Sequence, residues 1–460
     1  VWDGGDPFIV IGGELVCYFG DDPVVTVPDG VRGIATGAFS LARTENCKVT
    51  SVTLPDSVEY IADGAFGAQS ELTTVTFGSG LKEIGFGAFD GCASLNNVVL
   101  PEGLKKIGDN AFAGCSSLDS ISFPSTLETL YPGSLRDTPY WENLPGGENY
   151  LGGVFFFKET ELDSWTPLHV DVRPGTLGIM EWQSSRYDTT MSLPDGLRYI
   201  GPDAFPYGMY ELDDFTLPES VTYIDDVSDG HQGVPPSALR DLPDALTYIG
   251  MNAFYSDYQI DISYLEIPNG VKYIGERAFY AINQGTKMNI RLPDSLEHMG
   301  WRAFAANNIG QVTNWPAAIT TWDDFLAVCQ MDALTLPDTI LNVRNIESSD
   351  VPTINLNRVK QIGSDNVGGG SISCRGDTLL LMPNVEKFTA TYINGDNITI
   401  ALSDKVATLP DYVEVYGDFP VVPFEPSMLE GLPSAPPSAA PMVGSFTDVR
   451  TNNWFAGAVE

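Results

Sequence analysis

Positive charge is scarce in this chain. Its 460 residues carry 24 Lys and Arg against 61 Asp and Glu, a formal charge of -37 at pH 7. Phosphate binding needs a basic face, so composition excludes nucleic acid as a partner. It disfavours an anionic membrane surface for the same reason. Long apolar runs are also missing. The run Val154-Phe155-Phe156-Phe157 stops at Lys158, far short of the roughly 20 residues that cross a bilayer. Six cysteines occur without a C-x-x-C, so zinc and thioredoxin-like chemistry have no support. The three histidines, His169, His231 and His298, share no position relative to the repeated pattern described next. No G-x-S-x-G, H-E-x-x-H or G-x-x-x-x-G-K-[ST] is present. The run Gly368-Gly369-Gly370-Ser371 lacks the lysine of a phosphate cradle. No cofactor and no enzymatic activity are expected.

What the chain has is repetition. The phrase Ile84-Gly85-Phe86-Gly87-Ala88-Phe89 returns 23 residues later as Ile107-Gly108-Asp109-Asn110-Ala111-Phe112. Looser copies end in Ala38-Phe39, Ala65-Phe66, Ala204-Phe205, Ala253-Phe254, Ala278-Phe279 and Ala303-Phe304. A fixed period of this length means stacked coils, each burying its apolar edge against its neighbours. In the unit from Leu100 to Pro124, Leu118, Ile121 and Phe123 face inward, and the last of these residues alternate as a short strand does. The closing proline lacks an N–H, so it ends the strand and turns the corner. Ile107 begins an opposite wall, and Phe112 with its equivalents forms an aromatic stack along the axis. Strands are expected at 50–54, 73–77, 96–100 and 119–123.

The whole register, not one dipeptide, resembles the bacterial surface leucine-rich repeats of the BspA type. That resemblance implies a mainly β, right-handed solenoid, with short turns or 3-10 segments opposite the parallel sheet. It also implies a surface protein that binds a host or environmental protein or glycan. The order expected is a solenoid over 1–345, capped by a hairpin at 8–18 and interrupted by a hairpin insertion near 135–172. Such insertions interrupt the coils as a side excursion. Degenerate coils and a C-terminal cap follow over 346–430, then a Pro/Ala/Ser linker over 431–445. Residues 446–460 contain Phe446-Thr447-Asp448-Val449, Trp454 and Ala458-Val459. This spacing is similar to the opening of an S-layer homology module, a family that grips cell-wall polymer. It implies a chain that continues past Glu460, is secreted and is fastened to the cell wall. The start at Val1, without Met or a basic and apolar leader, fits removal of a signal peptide or an arbitrary starting point.

The strand face is the candidate binding surface. Its outward positions are Thr50, Ser51 and Thr53, then Thr73, Thr74 and Thr76, then Asn96, Asn97 and Val99, then Asp119, Ser120 and Ser122. They make a flat, mostly uncharged stripe of hydroxyls and amides. Threonine also suits exposed strands for its branching alone. Among acidic residues, Asp213-Asp214 falls in strand register. Asp225, Asp226 and Asp229, where the coil pattern breaks, are the calcium candidates. Cys92 and Cys115 occupy one slot 23 residues apart, about 5 Å from each other in stacked coils. The reading adopted is small buried thiols filling a repeated position. A carbohydrate-active solenoid enzyme and a structural spacer remain the rival functions.

Overall fold

The computed structural model describes residues 6–39, 49–158, 168–182, 189–228, 231–255, 258–349, 351–363, 370–375, 377–390, 392–395, 397–406, 414–416, 420–432 and 435. They form a parallel β-solenoid of about 15 turns with little helix. Each regular coil has three sides. The first is a three-residue strand, as in Ser51–Thr53, Thr74–Thr76, Asn97–Val99 and Ser120–Ser122. Each lies inside its expected range, one residue shorter at either end. Central Val52, Val75, Val98 and Ile121 are buried, while most of their neighbours are exposed, the period-2 pattern of a half-buried strand. A proline corner follows, closed by an i+3 N–H donating back to the proline carbonyl: Val58 to Pro55, Leu104 to Pro101, Val271 to Pro268.

The second side holds the more continuous ladder. Two-residue strands such as Tyr60–Ile61, Glu83–Ile84 and Lys106–Ile107 join a seven-stranded sheet, and eight strands from Gly147–Leu151 to His298–Met299 form another. The turns expected there lie on the third side, around Ala-Phe. In several coils two residues sit at positive φ on this side, for example Asn110 (54°) and Gly114 (66°), or Arg302 (54°) and Ala306 (59°). Paired left-handed residues reverse the chain within a few residues.

The aromatic axis is present. Rings of Tyr18, Phe39, Phe66, Phe89 and Phe112 stack at 5.5, 4.4, 5.0 and 5.2 Å between centroids. Phe254, Phe279 and Phe304 form a second run at 5.2 and 4.8 Å. Where the unit around Ile224 lacks Ala-Phe, Tyr223–Ile224 still pairs with Tyr199–Ile200 and Tyr248–Ile249, so the coil keeps its place.

Three expectations need correction. The hairpin Gly147–Leu151 and Val154–Lys158 is not a side excursion. Its strands alternate between two cores: Leu151, Val154 and Phe156 join the first, Phe155 and Phe157 the second. It is the end cap of a second array, as the hairpin Phe8–Ile11 with Glu14–Tyr18 caps the first, and it is seated between the arrays. Gly152, Gly153 and Gly178 abut the carbonyls of Pro124, Leu127 and Glu128 so closely that a Cβ would collide. Next, Asp213-Asp214 lies in an exposed turn. The first side has no strand there among the described residues. The 3-10 segments Tyr207–Glu211 and Pro236–Arg240 stand nearby, in a stretch where Pro206, Pro235 and Pro236 remove ladder donors. Finally, the first-side ladder through 50–54 to 119–123 is split into two short sheets, between Thr74–Thr76 and Asn97–Val99. Beyond residue 346 the coils remain in parallel register as far as Val421–Pro423, which pairs with Ile398–Leu402.

Replacing Phe89 by Ala removes a fully buried ring from the middle of the first stack. The expected cost is about 3–5 kcal/mol. Hydrogen exchange should quicken across residues 49–158 and stay near wild type beyond residue 338, because each coil contacts chiefly its neighbours. Uniform loosening of the whole chain would contradict a nearest-neighbour stack.

Candidate functional site

The exposed face of the first side carries two rows along the stack. One runs through Val24, Ser51, Thr74, Asn97 and Ser120, the other through Thr26, Thr53, Thr76, Val99 and Ser122. Val24 is 64% exposed and Val99 63%, so two isolated apolar contacts interrupt the hydroxyls and amides. Val99 was visible in the sequence as an outward position, while Val24 lies in a coil outside the expected strands. Thr50 and Thr73 act differently from their neighbours. Thr50 Oγ1 donates to the Pro23 carbonyl at 3.0 Å and Thr73 Oγ1 to the Thr50 carbonyl at 2.8 Å. These hydroxyls fasten coil to coil. Asn96 and Asp119 stand beside them, exposed, with the Asp119 N–H donating to the Asn96 carbonyl at 3.3 Å.

In the second array the same side carries a cluster that resembles a catalytic group in composition. His169 Nδ1 lies 2.7 Å from Thr190 Oγ1, and Nε2 lies 2.8 Å from Ser192 Oγ and 3.3 Å from Asp171 Oδ1. The serine and the carboxylate meet the same nitrogen. Thr190 meets the other, so the exposed ring stands between a hydroxyl on Nδ1 and a hydroxyl and a carboxylate on Nε2. His231 Nδ1 contacts Asp203 at 2.9 Å in a separate coil, and His298 ends a row of stacked tyrosines.

Two of the three calcium candidates meet at the junction of the arrays. Asp225 is 7% exposed; the Tyr199 hydroxyl donates to its Oδ2, and the Asp226 N–H donates to its Oδ1 at 2.9 Å. Asp226 Oδ1 accepts the Met251 N–H at 2.7 Å, and burial pushes this carboxyl above the usual range. Both border a cavity of about 250 Å³, lined also by Lys106, Asp109, Tyr131 and Tyr248. Calcium takes six to eight oxygens, whereas these carboxylates are already engaged by a phenol and backbone amides. Among the described residues no group of three His, Cys, Asp or Glu is placed to hold a metal. Asp229 lies outside the described residues.

The cysteine slot has a role that single-residue matching misses. Cys92 Sγ donates to the Phe66 carbonyl and Cys115 Sγ to the Phe89 carbonyl, each at 3.3 Å. Cys329 Sγ reaches the Phe304 carbonyl at 3.1 Å, Gln69 Nε2 the Phe39 carbonyl at 3.1 Å, and Asn307 Nδ2 the Phe279 carbonyl at 2.8 Å. The position requires a small or bendable donor aimed at the phenylalanine carbonyl one coil back. Cys92 and Cys115 are free thiols. Cys47 lies outside the described residues.

A parallel solenoid with an exposed strand face and a repeated Ala-Phe turn is the architecture of a leucine-rich repeat protein. The chain belongs to the BspA type leucine rich repeat region family, matched in six copies over residues 33–150, 181–228 and 240–364. The first gap in that match, 151–180, falls on the second strand of the sandwiched hairpin and the segment after it. No curated protein matches the chain. Among solved structures, a leucine rich cell surface protein of Faecalibacterium prausnitzii is 17% identical, with 82% of this chain and 94% of that one covered at a TM-score of 0.26. A leucine rich repeat protein of T. pallidum is 22% identical over 52% and 91%, at a TM-score of 0.28. The pneumococcal vaccine antigen PcpA is 16% identical over 90% and 92%, at 0.24. Among the described residues no helix is long and apolar enough to cross a membrane.

Two outcomes follow from this chemistry. Burial pushes the Cys115, Cys329 and Cys374 thiols up to about 12, and the thiolate is the reactive form. Mass mapping after iodoacetamide should leave these three and Cys92 unlabelled in the native protein and label them in denaturant; native labelling at Cys115 would place it at the surface. The second concerns Asp324, 5% exposed, whose Oδ1 accepts the Glu347 N–H at 2.6 Å. Burial, with Glu347 and Asp323 nearby, pushes its carboxyl up to about 7 against that hydrogen bond and Arg302. The folded state then holds a proton that the unfolded chain releases near pH 4, so stability is lost as pH rises towards and through 7, by about 4 kcal/mol at most. Asp324→Asn keeps the acceptor and suits the left-handed φ of 50°. Melting curves at pH 5 and pH 8 should show a smaller drop in the variant than in wild type; equal drops would remove Asp324 as the source.

Proposed function

We propose that this protein is a secreted, cell-wall-associated bacterial recognition protein that binds a host or environmental macromolecule along the strand face of its first array. The observation that carries this reading is the pair of exposed rows from Val24 to Ser122: flat, nearly uncharged, and backed by buried Val52, Val75, Val98 and Ile121. A macromolecule is the occupant such a face fits, because its groups repeat along the axis. Solenoids use extended surfaces of this kind for binding. Hydroxyls and amides give hydrogen bonds in both directions, while Val24 and Val99 supply apolar contacts. The residues of the face are Thr50, Ser51, Thr53, Thr73, Thr74, Thr76, Asn96, Asn97, Asp119, Ser120 and Ser122. Thr50 and Thr73 contribute by holding the coils in register. Attachment to the wall rests on the likeness of 446–460 to an S-layer homology module, and those residues lie outside the described ones.

The test is an array of extracellular-matrix proteins and glycans probed with the whole chain and with a Thr74→Lys, Thr76→Lys double variant. Both side chains are exposed, so the variant should fold with an unchanged melting temperature. The expected result is a ligand that loses at least about tenfold in affinity for the variant, a change of about 1.4 kcal/mol. Ligands that bind both forms equally would move recognition off this face.

A further inference from the structure

The second side of the second array carries a row of stacked rings that ends abruptly. Tyr199, Tyr223, Tyr248, Tyr273 and His298 follow one another at 5.4, 4.2, 4.5 and 4.4 Å, with interplanar angles of 19°, 1°, 3° and 8°. The next position belongs to Thr321. The proline corners establish this. The Leu296 N–H donates to the Pro293 carbonyl and the Ile319 N–H to the Pro316 carbonyl, each at 3.3 Å. His298 and Thr321 each stand two residues past the residue that closes the corner, and the ladder places Tyr273 beside His298. A three-atom side chain stands where each of the five coils before it has a ring. The sheet breaks at the same place: His298–Met299 ends the eight-stranded sheet, and Thr321–Asp323 pairs onward with Asn342–Ser349.

An open groove of about 600 Å³ lies at this break, in the size range of a small-ligand site. Tyr273, His298 and Trp301 give it aromatic sides, and Thr320 and Thr321 line it with hydroxyls. Trp301 is held by Arg302, whose guanidinium is 4.2 Å from the ring centroid. Its carboxylates each stand beside a base: Glu297 with Lys272 at 3.2 Å, Glu276 with Arg277 at 3.4 Å, Asp323 with Arg344 at 3.5 Å. The rim is thus strongly polar but locally balanced. A cation finds each acid already paired, and an anion meets a molecule of charge -37. What the groove suits is a neutral ring with an apolar face and a fringe of groups that both donate and accept.

We propose that this groove binds a neutral oligosaccharide, one pyranose ring occupying the gap beside His298 and its hydroxyls reaching the acid–base pairs. The site lies on a different side of the coil from the strand face and stands independently of that reading. The probes are neutral trisaccharides of glucose, mannose, xylose and N-acetylglucosamine, with trigalacturonate as the anionic control. Calorimetry reports binding, and tryptophan fluorescence reports it near Trp301. Two variants of the full chain test it. Thr321→Tyr extends the ring row by the residue the neighbouring coils use and fills the gap. Glu297→Gln removes a rim charge at an exposed position.

The expected result is saturable binding of at least one neutral trisaccharide. Thr321→Tyr should weaken it by about tenfold or more and Glu297→Gln by several-fold. The Thr74→Lys, Thr76→Lys variant should bind as wild type, which separates this site from the strand face. The proposal is overturned if no neutral probe binds, if trigalacturonate alone binds, or if a folded Thr321→Tyr binds as tightly as wild type. Should Thr321→Tyr fail to fold, unchanged affinity in Glu297→Gln overturns it.

Discussion

The regular coils of this structure depend on one backbone contact, repeated at most of the Ala-Phe phenylalanines. The Phe66 N–H donates to the Ala88 carbonyl at 2.8 Å and the Phe89 N–H to the Ala111 carbonyl at 2.7 Å; Phe279 and Phe304 repeat the bond at 2.8 and 2.9 Å. This bond fixes the rise from coil to coil, and the rings then stack because their backbones leave no other separation. Alanine precedes the phenylalanine because the turn has buried the Cβ completely. The Cys, Gln and Asn donors reinforce the same point from the other direction, by reaching the phenylalanine carbonyl one coil back. A short phrase can therefore specify a whole coil, since each of its residues serves the junction with the next.

That economy explains what could be read from the sequence and what could not. The Ala-Phe turns, the proline corners and the strands at Ser51–Thr53 through Ser120–Ser122 repeat as letters, so they were legible. The donor slot was only partly so. Cys92 and Cys115 match as letters, but Gln69 and Asn307 share their hydrogen bond and not their identity, while Cys329 sits one residue further from its phenylalanine. Hidden altogether was the seat of the hairpin at 147–158. Its sequence matches the cap at 8–18, and a cap reads as the end of a stack. Only the alternation of Phe155 and Phe157 against Val154 and Phe156, resolved in three dimensions, shows both faces buried. The missing ring at Thr321 was equally silent, because its meaning comes from the coils before it.

The two functional readings differ in how the solenoid makes them possible. On the first side, short side chains repeat evenly, and the result is a flat surface. On the second side, large rings repeat until one fails, and a recess lies at the break. A repeat protein thus generates a broad contact by keeping its pattern and a compact site by breaking it. The loss of Ala-Phe near Ile224 is a break of the other kind: Tyr223–Ile224 keeps the register while Asp225 and Asp226 turn inward against Tyr199, Tyr248 and the Met251 amide.

Charge follows the same geometry. The bases of this acidic chain are few, and several occupy a single edge column defined by the backbone ladder, in which the Glu59 N–H donates to Arg32, Lys82 to Glu59, and Glu128 to Lys105. Along it Glu59 lies between Arg32 and Lys82, Glu128 between Lys105 and Arg198, and Glu386 between Lys360 and Lys405. Exposed pairs of this kind contribute little stability each, and a column of them does not hold the coils together. What it does is set Glu59 and Glu128 beside bases of neighbouring coils, while Lys82 and Lys105 adjoin each other between them. The remaining surface carries an excess of acids, a few of them paired, such as Glu266 with Arg291 and Asp338 with Arg358. Screening at physiological ionic strength confines that field to about 8 Å, so it acts on what touches the protein: it discourages anionic partners and leaves neutral, hydrogen-bonding ones to the faces where side chains, not net charge, make the choice.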